Sequence, residues 1–260
     1  MSVGSRRRAV AVALALSSGS CVASDGPYEP HVSVAVASNF ASAHGVLARR
    51  FEEDTGSRVR SSQGATGQLY AQIRNGAPFE IFLSADAERP RLLEEEGLSV
   101  PGARFTYAEG RLVLYGPGLG SVPSGVAALG MPGLTHVAIA NPGTAPYGAA
   151  AEAVLDAIQA DPSLRSKIVQ GGNVAQALQF VRSGAAELGF VALTQVVNEP
   201  RRSYWVVPTE YHSPLVQDAV LLRAGPDNPV AVAYWEFLKS DRAAEIIASL
   251  GYEPPSLLRP

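Results

Sequence analysis

The chain has 260 residues, of which 47% are apolar and 17% charged, and its net charge at pH 7 is −3. This length allows one large domain or two smaller ones with self-sufficient cores, and the charge provides no basic field to hold nucleic acid. A single cysteine excludes a disulfide framework, and four scattered histidines without an HExxH-type cluster argue against a metalloenzyme.

The N-terminus has the pattern of an export signal. Residues 6–8 are arginines, and residues 9–16 form an unbroken apolar run. Spanning a bilayer takes about 20 apolar residues, so this run is too short for a membrane anchor. Small residues follow and allow cleavage after Ala23 or Ser24. We therefore predict a signal peptide over residues 1–24 and a periplasmic mature protein.

Cys21 allows a second export route, in which the protein is anchored by a lipid. Lipoprotein signals also place cysteine after small residues, but they normally carry an aliphatic residue three positions earlier, where this chain has Ser18. Lipidation at Cys21 therefore stays open as an alternative.

From residue 31 onward, short apolar runs alternate with amphipathic stretches. The first run, HVSVAV, is followed by Phe40, Ala43, Leu47 and Phe51, whose spacing predicts a helix that ends before Gly56. Apolar strands that alternate with helices indicate sheets covered on both faces, as in α/β proteins. Further strands are predicted at 81–83, 112–115, 136–140, 188–193 and 219–222, and further helix ends at Asn75-Gly76, Gly97, Gly184 and Gly251.

Four predicted helix entrances are rich in Ser, Thr, Asn and Gly. The first helical N–H groups lack internal partners, and together with the helix dipole they favour anions. In a parallel sheet such loops lie at the same edge, where α/β proteins bind ligands. Ser38 or Asn39 could instead simply cap a helix. The four loops span residues 37–39, 64–67, 141–148 and 170–174.

None of these loops contains Lys, Arg, His, Asp or Glu. Neutral donors without an acceptor carboxylate suit a fully deprotonated oxyanion. Hydrogen phosphate would bury its hydroxyl without an acceptor, which costs roughly 1–3 kcal/mol or more. The loops therefore predict a site for a small dianion.

The same loops, with the segments around them, resemble the periplasmic molybdate-binding proteins of ABC importers. The resemblance runs from about residue 31 to 252 and includes VAVASNF, GATGQLYAQIRNGAPFEIFLSAD, RFTYAEGRLVLY, IANPGTAPYG, GGNVAQALQFV, ELGFVAL and QDAVLL. It implies an α/β, two-lobed type II periplasmic binding protein, in which each lobe is a mainly parallel sheet flanked by helices. We expect lobe I at 31–110 with 221–260 and lobe II at 111–220.

The resemblance also implies a set of ligand contacts. Hydroxyl groups and main-chain amides would hold molybdenum as its oxyanion, with no bare cation and no cofactor. Some family members carry a ligand tyrosine where this chain has Ala192, and the phenol of the neighbouring loop could replace it. The implied contacts are Ser38, Asn39, Thr66, Tyr147 and the backbone N–H of Val174.

The function implied is capture of molybdate or tungstate and delivery to an importer permease with its ATPase. We expect a monomer that is not an enzyme and binds no nucleic acid. A binding protein for another deprotonated oxyanion, such as sulfate, stays an alternative. An exported α/β hydrolase is a weaker one, because the chain has no GxSxG motif and no His or acid in the four loops.

Four other polar residues are predicted to be structural. Asp86 is expected to cap the helix that leads to Glu96, and Asp218 to hold structure near a crossover between the lobes. His136 and His212 are expected to lie at the surface or to pack against their neighbours.

Overall fold

The protein is described from a computed structural model, which covers Met1 and residues 29–117 and 125–254. The predicted signal peptide and Cys21 lie outside the described residues. No helix in the described part of the chain is long and apolar enough to cross a membrane.

The first five-stranded sheet has the order β2-β1-β3-β10-β4. Strand β1 pairs in parallel with β2 and β3, while β10 is antiparallel to both β3 and β4. The sheet with its helices is called the first lobe below. Its strands are β1 (His31–Ala37), β2 (Arg58–Gly64), β3 (Ile81–Leu83), β4 (Ser99–Gly110) and β10 (Leu215–Leu222).

The second five-stranded sheet has the order β7-β6-β8-β5-β9 and, with its helices, forms the second lobe. Strand β6 is parallel to β7 and β8, and β5 is antiparallel to β8 and β9. Its strands are β5 (Leu112–Tyr115), β6 (Val137–Ala140), β7 (Ile168–Gly171), β8 (Leu188–Ala192) and β9 (Tyr204–Val206).

Helices cover the sheets and follow the parallel strands in the chain. The four apolar residues predicted for the first helix face the core of the first lobe, since each is at most 3% exposed. The helices are α1 (Ala41–Thr55), α2 (Thr66–Arg74), α3 (Glu88–Glu95), α4 (Pro146–Ala157), α5 (Pro162–Arg165), α6 (Val174–Arg182), α7 (Leu193–Val196), α8 (Pro229–Leu238) and α9 (Asp241–Ser249).

The first sheet is buried on both faces. On β1, Val32, Val34 and Val36 belong to a cluster that includes side chains of α1, α8 and α9, while Ala35 belongs to a second cluster with Leu69 of α2. Alternating residues of one strand point to opposite faces, so both faces need apolar side chains. The predicted α/β architecture is confirmed.

The sheets are mixed, with three parallel strands extended on one side by antiparallel ones. Strand β4 of the first sheet is followed directly by β5 of the second sheet, so the chain crosses between the lobes at Arg111. Each of these strands is antiparallel to its neighbours in its own sheet. Strand β10 lies wholly in the first sheet, although the expected lobe boundary at residues 220 and 221 falls inside it. The exact division into lobes stays a prediction.

Strand β2 was not predicted from the sequence. It lies at the sheet edge, and its sequence, RVRSSQG, is mostly polar and exposed. The predicted helix ends are confirmed by glycines in the left-handed conformation. Gly56, for example, has φ of 74° and donates its N–H to the Glu52 carbonyl at 2.8 Å. The same conformation occurs at Gly76, Gly97, Gly184 and Gly251.

The core of the first lobe contains a buried histidine. His44 of α1 is 1% exposed, and its Nε2 has no hydrogen-bond partner among the described residues. Its ring meets Tyr234 edge-on, with the ring centroids 6.0 Å apart. Burial lowers the pKa of the His44 imidazole to about 4, so the native state holds this side chain neutral.

We predict that acidification between pH 7 and pH 5 destabilises the protein through His44. The unfolded imidazole takes up a proton near pH 6.5 while the native one does not, so the free energy of unfolding should fall by about 2 kcal/mol. Urea unfolding at both pH values measures this loss. His44→Phe should lose clearly less over the same interval, with the variant His136→Asn at an exposed position as the control. Equal pH dependence of wild type and His44→Phe would contradict the assignment.

Candidate anion-binding site

Four strand-to-helix turns meet at one cavity between the two lobes. Ser38 and Asn39 follow β1, Thr66 opens α2, Tyr147 is the second residue of α4, and Val174 opens α6. All five residues predicted from the sequence lie on the wall of this cavity. The lining consists of Ala37, Ser38, Asn39, Gly64, Ala65, Thr66, Ala85, Ala145, Pro146, Tyr147 and Val174.

The cavity is small and uncharged. It contains about 180 Å³ of space between atoms, part of which is open to solvent, whereas a neighbouring groove contains about 1,130 Å³ by the same measure. Among the described residues that line it, there is no Asp, Glu, Lys, Arg or His. The site therefore suits a small ion held by dipoles and hydrogen bonds.

The helix starts at the cavity keep main-chain donors available. The N-cap residues of α2 and α4 are Ala65 and Ala145, and neither has a side chain that could cap the helix. Helix α6 is capped by Asn173, whose side chain accepts from the Gln176 N–H at 3.0 Å. Uncapped N–H groups at a helix start favour an anion.

The alternative that Ser38 or Asn39 caps α1 is wrong. The N-cap of α1 is Phe40, and no side-chain hydrogen bond caps that helix. The Ser38 main chain donates to the Gly64 carbonyl at 2.9 Å, which fixes the first turn against the second. Ser38 is 8% exposed and belongs to the residues that line the cavity.

Thr66 and Tyr147 carry hydroxyls whose oxygens already accept hydrogen bonds from the protein. Thr66 Oγ1 accepts from the Ala85 N–H at 3.2 Å, and Tyr147 Oη accepts from Gln217 Nε2 at 3.4 Å. Burial raises the pKa of Tyr147 well above its ordinary value, although the nearby side-chain amides of Gln217 and Asn39 partly oppose this rise. Both hydroxyls therefore keep a proton to donate.

The side-chain amide of Asn39 is engaged in buried hydrogen bonds behind the cavity wall. Its Nδ2 donates to Gln217 Oε1 at 2.9 Å and to Tyr252 Oη at 3.2 Å. An amide NH₂ has two hydrogens, so these contacts occupy both. The main-chain N–H of Asn39 is the donor left for a ligand.

The residue that replaces the tyrosine of some family members does not reach the cavity. Ala192 ends β8 and is fully buried, and its main-chain N–H donates to Gln195 Oε1 at 3.0 Å. Tyr147 is the phenol on the cavity wall.

Asp218 has the structural role predicted for it, and Asp86 is structural too, although the N-cap of α3 is Ala87 and Asp86 lies one residue before it. Asp86 accepts from the Arg89 N–H at 3.0 Å at the start of α3 and also pairs with the Arg89 guanidinium. Asp218 is 1% exposed and accepts from Arg104 at 2.6 Å and Thr106 at 2.7 Å, which ties β10 to β4.

The two histidines also lie as predicted. His136 is exposed. His212 is 7% exposed, and its Nδ1 lies 2.8 Å from the Ser213 carbonyl.

The lobes touch beside the cavity. The Gly67 N–H of α2 donates to the Thr144 carbonyl of the second lobe at 2.8 Å. A wider groove of about 1,130 Å³ adjoins the cavity, but its wall includes the carboxylates of Asp86 and Glu88 together with Arg89. A dianion in the groove would meet two carboxylates. The smaller cavity is therefore the better anion site, although the groove is larger.

Sequence reasoning missed a second layer of residues behind the wall. Gln217, Tyr107 and Tyr252 form buried hydrogen bonds around Asn39 and Tyr147. Gly110 at the end of β4 leaves them room, because a Cβ there would lie 2.1 Å from Tyr147 Oη and 2.5 Å from Gln217 Nε2. Gln217 lies in the QDAVLL segment beside Asp218, and no local sequence pattern indicates its buried partners.

A chain of two α/β lobes with a small, uncharged cavity between them has the architecture of a solute-binding protein. A family model of bacterial extracellular solute-binding proteins matches residues 32–253. The chain belongs to this family.

Relatives and a solved structure support the same assignment. The chain is 49% identical to the molybdate-binding protein ModA of Azotobacter vinelandii over 85% of this chain and 89% of that protein. It is 44% identical to ModA of Rhodobacter capsulatus over 94% and 96% of the two chains. The solved structure of the periplasmic molybdate-binding protein of Azotobacter vinelandii superposes with a TM-score of 0.81 at 39% identity, over 86% of this chain and all of that one. The two-lobed fold predicted from the sequence is confirmed.

We predict that Gly110→Ala destabilises the protein by about 1–3 kcal/mol, because the added methyl group collides with the Tyr147 hydroxyl in a packed interior. Urea unfolding measures the loss. Gly130→Ala is the matched control, since a Cβ there meets nothing within 4 Å.

Adding Tyr147→Phe to Gly110→Ala should recover part of the lost stability, because it removes the colliding oxygen. A Gly110→Ala variant as stable as the wild type would show that the hydroxyl has room to move.

Proposed function

We propose that the protein captures molybdate, and also tungstate, in the cavity between its lobes and delivers it to an ABC importer from the periplasm. The ligand contacts would be the hydroxyls of Ser38, Thr66 and Tyr147 with the main-chain N–H groups of Asn39 and Val174. The metal would be held as its oxyanion, without a resident cofactor. Binding would favour the closed arrangement, since each lobe supplies part of the wall.

The observation that carries the proposal is a cavity wall with hydrogen-bond donors and no charged side chain. Helix dipoles contribute only about 0.3–2 kcal/mol for each helix end, whereas micromolar binding requires about 8 kcal/mol. Charge-assisted hydrogen bonds from hydroxyls and amides must supply most of the difference. A fully deprotonated, doubly charged oxyanion makes the most of such bonds.

The identity of the oxyanion is supported by the relatives, because the two most similar curated proteins reported above are named for molybdate. Sulfate is the alternative with the same charge and shape. An exported hydrolase is a weaker alternative, since no residue of the described wall could act as a base for the Ser38 or Thr66 hydroxyl.

We predict that molybdate and tungstate raise the melting temperature of the mature protein far more than sulfate or phosphate. Ligand at 100 times its Kd adds about 2.7 kcal/mol to the free energy of unfolding. Differential scanning calorimetry with the four sodium salts at equal ionic strength tests this, with chloride as the control. Equal shifts for all four anions, or a larger shift with sulfate, would overturn the molybdate assignment.

We predict that Thr66→Val weakens molybdate binding by about 1–3 kcal/mol, since it removes one hydroxyl donor and keeps the shape of the side chain. Thr66→Ser keeps the hydroxyl and serves as the matched control, with affinity close to that of the wild type. Isothermal titration calorimetry gives both values. If Thr66→Val keeps its affinity but lowers the stability of the free protein, Thr66 has only a structural role.

A further inference from the structure

A row of buried side chains lies directly behind the cavity wall. It runs from Tyr252 through Asn39 and Gln217 to Tyr147, and each of the four is at most 3% exposed. Asn39 belongs to the first lobe, Gln217 to β10, and Tyr147 to α4 of the second lobe. This row, called the amide relay below, therefore connects the two lobes at the point where they meet the ligand cavity.

The hydrogen bonds of the amide relay have a fixed direction. Tyr252 donates its hydroxyl proton to the Asn39 carbonyl oxygen at 2.9 Å, so its own oxygen accepts from Asn39 Nδ2 at 3.2 Å. The second Nδ2 hydrogen goes to Gln217 Oε1 at 2.9 Å. A backbone carbonyl can only accept, so the first bond determines the direction of those that follow.

This direction determines which end of the Gln217 amide meets Tyr147. Because Oε1 faces Asn39, Nε2 faces the phenol and donates to Tyr147 Oη over a long 3.4 Å contact. Tyr107 lies beside the relay, with its Oη 3.0 Å from the same Oε1 and 2.8 Å from the Ser84 carbonyl, and its single proton is shared between these two acceptors. The Tyr147 oxygen thus accepts from the protein, and its own proton is left for the cavity.

We propose that Gln217 is a positioning and specificity-determining residue, which fixes the Tyr147 hydroxyl as a donor toward a fully deprotonated oxyanion. The inference rests on the proposed function and deepens it. If Gln217 Nε2 were absent, the Tyr147 oxygen would be free to accept, and the site would discriminate less against an anion that carries a proton, such as hydrogen phosphate.

A double-mutant cycle tests whether Gln217 acts through the Tyr147 hydroxyl. The variants are Gln217→Met, Tyr147→Phe and the double variant, with molybdate titrated by calorimetry. We expect about a tenfold loss of affinity for each single variant and no further loss in the double variant. Losses that multiply to about a hundredfold would overturn the proposal, because Gln217 would then act independently of the hydroxyl.

A second variant tests the direction of the relay without removing side-chain volume. Gln217→Glu places an acceptor-only carboxylate against Tyr147 at pH 8 and should weaken binding by about a hundredfold. Protonation at lower pH restores a donor, so affinity should recover toward pH 6, whereas wild-type affinity should stay flat. The titratable groups near position 217 are the phenols of Tyr107, Tyr147 and Tyr252, whose pKa values burial raises, and the carboxylates of Asp218 and Asp86, which pair with Arg104 and Arg89. The wild type has all of these groups, so a pH dependence found only in Gln217→Glu reports the new carboxyl.

Tyr107→Phe is the matched control. It removes a phenol oxygen that also contacts Gln217 but lies outside the relay, so molybdate affinity should change by less than about threefold even if stability falls. A loss as large as that of Gln217→Met would indicate general loosening of the buried layer and overturn the proposal.

The relative affinity for phosphate separates this inference from the proposed function. In Gln217→Met, the ratio of the molybdate affinity to the phosphate affinity should be smaller than in the wild type. If the wild type prefers sulfate, the proposed ligand is wrong, and the same cycle with sulfate decides the role of Gln217. If the wild type binds none of the four oxyanions, both proposals fail.

Discussion

The central physical constraint that the proposed function places on this molecule is that a cavity with no charged side chain among its described lining residues has to hold a charge. Neutral donors must then point inward before the ligand arrives, because each contributes little unless it is already oriented. The wall meets this requirement through main-chain N–H groups fixed by helix geometry and hydroxyls whose oxygens accept elsewhere in the protein. The described residues of the wall also include no carboxylate or imidazole that could accept a proton from the ligand, which makes a protonated oxyanion a poorer ligand.

The fold provides this orientation through the parallel strands of both sheets. Strands β1, β2, β6 and β7 each end at a turn that leads into a helix, and parallel pairing brings the turns of each sheet to one edge. The antiparallel strands β4, β5 and β10 have a different role, since they carry the chain between the sheets. The cavity therefore lies where two sets of helix N-termini face each other, and neither lobe forms it alone.

Much of this was predictable from the sequence because the signals are local. Apolar strand runs, glycine helix ends and the donor-rich turns all depend on neighbouring residues, and the structure brings all five predicted residues to one wall. The edge strand β2 and the relay residue Gln217 were not predictable. A polar edge strand carries no apolar run, and Gln217 acquires its partners, Asn39 and Tyr147, across separations of 178 and 70 residues.

The buried layer behind the wall links the two lobes by hydrogen bonds. Gln217 has to satisfy its amide in an interior where an unpaired polar group costs about 1–3 kcal/mol. Its partners belong to both lobes, so moving the lobes apart would leave part of this layer without hydrogen bonds unless water enters. In the proposed function, the contacts that orient the Tyr147 hydroxyl toward a ligand would also favour the closed arrangement, so capture of the ion and closure of the cleft would share one set of hydrogen bonds.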